Sequence, residues 1–308
     1  MDTAPQHHDP ARDLPPGLVW RPLEPTDLRA VYELMAASER EDLGEVLIEE
    51  ADLVADWQRP SYDLAASSVA VLDGARMVGY AEAAGGDRGD AAVHPAYRGR
   101  GIGVWLAHRM QDLARAQGAT TIGMPVPEGS PGDRLLAALG YRQRWTSWVL
   151  RLPPGATVPE RPLPAGYAVR AAREDEHRAC WTVLEDAFLE WSERDRQSFE
   201  DFTATVLRRP GFEPWQLRVV LDPAGAVAGC ALVLLSADTG FVDRLATRAD
   251  QRHRGLAQAL LVDAFAVARE HGAGVAELST DSRTGALALY EKVGMEVTST
   301  WVNRAIDL

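Results

Sequence analysis

The stretch "TRADQRHRGLA", residues 247–257, places two arginines, a histidine and a glycine directly before a long run of apolar residues at helical spacing. It has a near-twin in "VHPAYRGRGIG", residues 93–103, and the chain repeats itself around both. Arg98 and Arg252, Gly101 and Gly255, Gly118 and Gly272, and Gly140 and Gly294 are all separated by the same interval. Upstream, "WRPLEPTDLRAVYEL" from Trp20 corresponds to "VRAAREDEHRACWTV" from Val169, matching Arg21 to Arg170, Arg29 to Arg178 and Tyr32 to Trp181 at a slightly shorter interval. A common interval over most of the chain is the mark of a tandem duplication. Each copy is a domain of roughly 140 residues, in keeping with the prior of roughly 150 residues per domain for a chain of this length.

Expected boundaries follow. Residues 1–16 lack the basic start and apolar core of a signal peptide and read as a disordered tail. The first copy spans 17–152, and the second spans 166–308. Between them, residues 153–165 begin "PPGATVPERPLP", with five prolines in twelve positions, a composition expected of a stiff extended linker.

Each copy interleaves strands with helices and contains a hairpin, punctuated by Asp-Gly after Leu72 and by Asp-Pro-Ala-Gly after Leu221. The expected fold class is therefore a mixed α/β domain, present twice, with a largely antiparallel sheet flanked by helices.

Composition narrows the function. With 46% hydrophobic and 25% charged residues, and no apolar run near the ~20 residues of a membrane span, the chain reads as soluble and cytoplasmic. A net charge of −13 argues against a nucleic-acid surface and suits a cationic small-molecule partner as well as a solvated acidic exterior. Cys180 and Cys230 sit in apolar stretches and read as buried thiols, so neither a disulfide framework nor a metal site is expected. Lys292 is the only lysine beside many arginines, which suggests a GC-rich bacterial source. A monomer or a homodimer is expected.

A glycine-containing loop that opens a helix has a definite use. The first turn of a helix leaves backbone N–H groups unpaired, with partial positive charge, and glycine lets a phosphate approach them. The loop lacks the Lys-Ser/Thr of a P-loop and the three glycines of the dinucleotide fingerprint. It resembles instead the Val-x-Pro-x-x-Arg-x-x-Gly-x-Gly/Ala signature of the GNAT acyltransferase superfamily. The second loop has Thr247 and Ala249 where valine and proline are usual. Downstream, "GALALYEKVGM", residues 285–295, is similar to that superfamily's second signature, with Met295 in place of an aromatic residue. The architecture resembles the tandem-GNAT group of the mycothiol synthase type.

The resemblance implies acetyl-CoA as cosubstrate, direct transfer to a primary amine in a ternary complex, and no metal. It implies a pyrophosphate cradle at Arg252, His253, Arg254, Gly255, Leu256 and Ala257, with Leu245, Ala246 and Thr247 of the preceding strand beside the thioester. In the first copy it implies coenzyme contacts at Val93, Arg98, Gly99, Arg100, Gly101, Ile102 and Gly103. Tyr290 takes the place of the acid and Asp243 that of the base. In the first copy, Leu136 stands where Tyr290 does and Gly89 where Asp243 does, with Asp90 one residue on, so the second copy is the expected catalytic one. Arg283 stands where the superfamily commonly has asparagine.

Acidic and aromatic residues of "VLEDAFLEWSERDRQSFEDF" suit a cationic amine, with Glu185, Trp181 and Trp191 as candidate substrate contacts. A first copy that is itself catalytic, a non-catalytic acyl-CoA sensor, and an enzyme acting on protein or peptide amines stay open as alternatives.

Overall fold

A computed structural model describes residues 13–308. The chain forms two compact units, one running up to Arg144 and taking in Val302–Leu308, the other being Trp145–Trp301.

The first unit opens with β1 (Val19–Arg21), followed by the helices α1 (Leu28–Leu43), α2 (Glu50–Trp57) and α3 (Leu64–Ser67). Strands β2 (Ser68–Asp73), β3 (Arg76–Ala83) and β4 (Gly89–Val93) come next, then α4 (Ile102–Ala116), β5 (Thr121–Pro127), α5 (Pro131–Ala138) and β6 (Arg142–Arg151). The second unit repeats the order with β7 (Ala168–Ala171), α6 (His177–Phe188), α7 (Phe199–Phe202), β8 (Leu217–Leu221) and β9 (Val227–Ser236). It continues with β10 (Thr239–Thr247), α8 (Leu256–Glu270), β11 (Val275–Asp281), α9 (Leu287–Lys292) and β12 (Glu296–Asp307).

Strands β1-β2-β3-β4 and β7-β8-β9-β10 form equivalent antiparallel meanders. Their hairpins fall where the turn residues demand. Asp73 pairs Arg76 across Gly74, whose φ of +59° only glycine tolerates without strain. Asp222 accepts backbone N–H bonds from Ala224 and Ala226 to close the second. The apolar stripe of α4, Ile102, Trp105, Leu106, Met110 and Leu113, buries itself on one face of its sheet. On α8 the corresponding stripe is Leu256, Leu260, Leu261, Ala264, Phe265 and Ala268. Among the described residues, no helix is long and apolar enough to cross a membrane.

The structure adds detail to three of the sequence expectations. The compact units do not coincide with the repeats, because the final strand of each repeat is divided between them. Residues Ser147–Arg151 of β6 pair antiparallel with β11 in the second unit. The end of β12 lies in the first unit, where Leu308 N–H bonds Thr120 O and the Arg304 guanidinium holds Asp133 at 2.5 Å. Long strands at the ends of both repeats read alike in sequence, and register, which sequence does not display, decides where each half pairs.

The proline-rich segment is extended, yet it is a strap and not a spacer. Val158 is buried in the core of the second unit, Arg269 donates to Ala156 O, and Gln258 donates to Pro159 O. Of the expected tail, residues 1–12 lie outside the described residues, while Leu14 packs on the core around α4. Both cysteines are buried free thiols, as expected from their apolar surroundings.

Gly123 on β5 shows how closely the C-terminal segment is seated. A Cβ there would stand 2.5 Å from Arg304 O and 2.6 Å from Ala305 Cβ. Backbone cannot yield cheaply, so Gly123→Ala is expected to destabilise the first unit by about 1–3 kcal/mol, read as a lower denaturant midpoint. An unchanged midpoint would contradict this seating of the chain end.

Candidate active site

In the second unit the site begins where two strands part. β10 runs parallel to β11 for four residue pairs, from Thr239↔Val275 to Val242↔Leu278, and pairs no further. At that point the register of β10 against β9 shifts between Val242 and Arg244, leaving Asp243 as a bulge. Beyond it, Arg244–Thr247 pair only with β9. Alternate residues of a strand turn their N–H and C=O groups to opposite sides, so part of this backbone faces the gap beside β11.

The loop that ends β10 turns its own N–H groups outward. His253 has φ +63° and Gly255 +82°, so the chain curls around the start of α8. The first helical bond is Ala259 N–H to Gly255 O at 3.0 Å. Among the described residues, the N–H groups of His253, Arg254, Gly255, Leu256 and Ala257 have no acceptor. Unpaired N–H groups in a turn at a helix start, here called a nest, are of the kind that bind anions. The first unit builds the same nest. Gly99 has φ +74° and Gly101 +90°, and the first helical bond comes from Trp105 to Gly101 O. His253 occupies the left-handed conformation that Gly99 adopts in the twin, at a cost of roughly 1–2 kcal/mol for a non-glycine residue.

The arginine of each signature ties its loop down. Arg252 forms two hydrogen bonds with Glu190, at 2.7 and 2.6 Å, just beyond α6. Arg98 does the same with Asp42 on α1, at 2.7 and 2.9 Å, and adds Ser38. The pairing raises Arg252 and lowers Glu190, so both stay charged at neutral pH. Arg254 and Arg100 are exposed, Arg100 lying over the Tyr97 ring.

Tyr290, on α9, is 8% exposed and packed among Leu278, Val293 and Leu289, in the apolar cluster that Leu245 of β10 also joins. Among the described residues its hydroxyl has no partner, and burial pushes its pKa up to about 12. It is therefore a protonated donor at neutral pH. Asp243, exposed at the bulge, receives only an Arg244 Nε hydrogen bond, at 3.2 Å, among the described residues. Leu136, its repeat counterpart to Tyr290, is buried on α5.

The three acceptor-side candidates are engaged within the second unit. Glu185 is buried, and Arg194 grips both of its oxygens at 2.8 Å while Gln197 N–H adds a third bond. The Trp181 indole N–H donates to Gln197 O, and its ring meets Phe199 edge-on. Trp191 stacks with Arg283, whose guanidinium lies 4.6 Å from that ring and 3.5 Å from Trp145 while pairing Asp281. The arginine that replaces asparagine thus closes an aromatic sandwich beside α9.

The acetyltransferase (GNAT) family model matches residues 28–141 and again 170–295. The chain belongs to the GNAT acetyltransferase family. It is 32% identical over 304 residues to a mycothiol acetyltransferase of Salinispora arenicola, covering 91% of this chain and 94% of that one. A solved GCN5-related N-acetyltransferase from Sphaerobacter thermophilus superposes with a TM-score of 0.74 at 26% identity, over 96% of this chain and 97% of that one. A tandem GNAT protein from the clavulanic acid biosynthesis pathway shares the fold with a TM-score of 0.70 at 20% identity, over 94% and 98% of the two chains. Membership makes the chain an acyl-CoA-dependent N-acetyltransferase built of two GNAT regions.

One cluster of chemistry escaped the sequence reading. In the first unit, Glu82 on β3 and Asp90 on β4 are directly opposed across the antiparallel ladder. Burial, then the charge of Glu82, raises Asp90 to about 7. The signal was an acidic residue at each of two facing positions in otherwise apolar strands, which only register makes visible. The folded state keeps a proton on Asp90 between its ordinary value near 4 and about 7, whereas the unfolded chain gives it up. Stability therefore falls as pH rises through that window and is unaffected below it. Asp90→Asn is expected to raise the melting temperature of the first unit at pH 8 and leave it unchanged near pH 3.5. Equal shifts at both pH values would contradict the assignment.

Proposed function

We propose that this acetyltransferase moves the acetyl group of acetyl-CoA to a primary amine of a small cationic molecule, and that the second repeat performs the chemistry. The observation that carries the reading is Tyr290, a protonated hydroxyl without an acceptor, buried in the same apolar cluster as Leu245 of the parted strand.

In this reading the N–H groups of His253, Arg254, Gly255, Leu256 and Ala257 hold the pyrophosphate, with Arg252 fixing the loop that presents them. The backbone of Leu245, Ala246 and Thr247 that has no strand partner on the β11 side hydrogen-bonds the pantetheine arm and steadies the oxygen of the tetrahedral intermediate. The amine attacks after losing a proton to Asp243, which stands at the bulge within an accessible position. The C–N bond forms, the C–S bond breaks as Tyr290 protonates the departing thiolate, and the second proton lost by the acylated nitrogen restores the tyrosine to its protonated form. Val93, Arg98, Gly99, Arg100, Gly101, Ile102 and Gly103 form a second coenzyme cradle in the first repeat, where Leu136 supplies no acid.

Glu185, Trp181 and Trp191 are proposed to meet the acceptor. Because Arg194 holds Glu185 and Arg283 covers Trp191, an incoming ammonium would have to compete with those two guanidiniums. The similarity to enzymes named mycothiol acetyltransferase supports a small-molecule acceptor over a protein N-terminus, and a mycothiol-type amine is the first to test.

Thiol release from acetyl-CoA, followed with amino sugars, polyamines and peptides, tests the proposal. Tyr290→Phe is expected to lower kcat by about 10²-fold or more with little change in coenzyme binding. Arg252→Ala should raise the KM for acetyl-CoA, and Arg98→Ala should leave turnover near wild type. Full activity in Tyr290→Phe with activity abolished in Arg98→Ala would move the chemistry to the first repeat. Tight coenzyme binding without thiol release for any amine would favour a sensor.

A further inference from the structure

The strap that joins the repeats carries a cation to the second helix-opening loop. The Arg161 side chain lies across Gly255, where a Cβ would stand 2.9 Å from its Cδ, 3.1 Å from its Nε and 3.4 Å from its Cζ. Gly255 is the residue from which α8 starts, in the middle of the N–H groups of His253 to Ala257 that have no acceptor among the described residues. At the twin loop a similar approach is made by Pro15, whose Cγ would stand 3.7 Å from a Cβ on Gly101. The two segments are alike in sequence, "RDLPPG" at 12–17 and "RPLPAG" at 161–166, at the interval that matches Arg21 to Arg170. Residue 12 lies outside the described residues.

The backbone on either side of Arg161 is fixed. Gln258 on α8 donates to Pro159 O at 2.6 Å, and Arg269 donates to Ala156 O at 3.1 Å. Val158 is buried in the core, and Leu163 packs against the cluster that holds Leu256 and Leu260. Further on, the Tyr167 hydroxyl donates to Gln251 Oε1 at 2.5 Å, in the turn ahead of the loop. With neighbours on both sides docked on α8, the Arg161 side chain reaches the loop from a backbone already in place.

Its guanidinium makes no hydrogen bond or ion pair among the described residues. Arg252 and Arg248, by contrast, are committed, the first to Glu190 and the second to Asp222 and Asp250. The positive end of a helix and a guanidinium repel each other, and backbone N–H groups covered by a side chain forgo part of their hydration. An anion held between them relieves both costs, accepting the backbone N–H groups on one side and two guanidinium N–H groups on the other.

We propose that Arg161 is a coenzyme-binding residue, closing over the pyrophosphate of acetyl-CoA from the side opposite the N–H groups of His253 to Ala257, so that the strap between the repeats forms one wall of the coenzyme site. Arg252 of the signature then shapes the loop, and the strap supplies the charge that meets the phosphates. The proposal rests on the reading of this loop as the acetyl-CoA loop of the second repeat, and adds to it a residue remote from the signature in sequence.

Titration of ¹⁵N-labelled protein with acetyl-CoA, followed at the Gly255 amide, tests the two readings separately. Affinity at that site should fall about tenfold in Arg161→Ala, Arg161→Lys should recover part of the loss, and the Arg161 Nε–Hε resonance of the wild type should shift on saturation. Dephospho-CoA, compared with CoA, should show the same fold loss in Arg161→Ala, because it keeps the pyrophosphate and lacks only the 3′-phosphate. Arg115→Gln, which removes an exposed arginine from α4 of the other unit, should leave the affinity unchanged. Absence of any shift from His253 to Ala257 in the wild type would sink the reading of the loop, and this proposal with it. Shifts there with equal affinity in wild type and Arg161→Ala would overturn the proposal alone. So would tighter binding in Arg161→Ala, which would make the strap an obstruction, or a loss that vanishes with dephospho-CoA.

Discussion

The structure of the second unit turns on the place where β10 stops pairing with β11. Four parallel pairs hold the strands together, a bulge at Asp243 redirects one of them, and the backbone from Arg244 to Thr247 is left with a partner on one side only. In a sheet interior such unpaired groups would be a defect. Here they lie a few residues ahead of a second set of unpaired groups, the N–H groups from His253 to Ala257, while between the two the N–H groups of Arg248, Gln251 and Arg252 are taken up in hydrogen bonds. The first unit repeats the device in sharper form. There β4 meets β5 through a single parallel bridge, Arg88↔Gly123, before parting from it.

Around this shared scaffold, matched ion pairs hold the loops. Arg21 with Asp27 and Arg170 with Glu176 tie the first strand of each repeat to the start of its next helix. Arg98 with Asp42 and Arg252 with Glu190 tie each cradle to the end of that helix. The repeats diverge where chemistry would occur. The second has Tyr290 and a bulge at Asp243, while the first has Leu136, an unbulged β4 and the opposed acids Glu82 and Asp90. The strap between the repeats reaches the second cradle, where the Arg161 side chain covers Gly255 so closely that a Cβ would stand 2.9 Å from its Cδ.

Local features were legible in the sequence because local chemistry determines them. Glycines marked the loops that open α4 and α8, the Asp-Gly turn marked a hairpin, and apolar stripes marked the two helices themselves. The interval between Arg98 and Arg252 disclosed the duplication, and Tyr290 was marked by the likeness of residues 285–295 to the superfamily's second signature. What stayed hidden depends on pairing between distant segments. The division of β6 and β12 between the units, the strap that reaches Arg161 over Gly255, and the facing of Glu82 with Asp90 are all matters of register and long-range contact. The partners of Glu185 and Trp191 were equally invisible, since Arg194 and Arg283 are ordinary surface-type letters until the fold brings them in.

The two repeats are told apart by which helix-opening loop receives the acyl donor for chemistry. Backbone amide NMR of the ¹⁵N-labelled protein titrated with acetyl-CoA reads both at once. Large shifts and slowed hydrogen exchange are expected at His253, Arg254, Gly255, Leu256 and Ala257, together with Leu245 to Thr247 beside the parted strands. Changes confined to Gly99–Gly103, with the second nest undisturbed at saturation, would contradict the assignment of the chemistry to the second repeat.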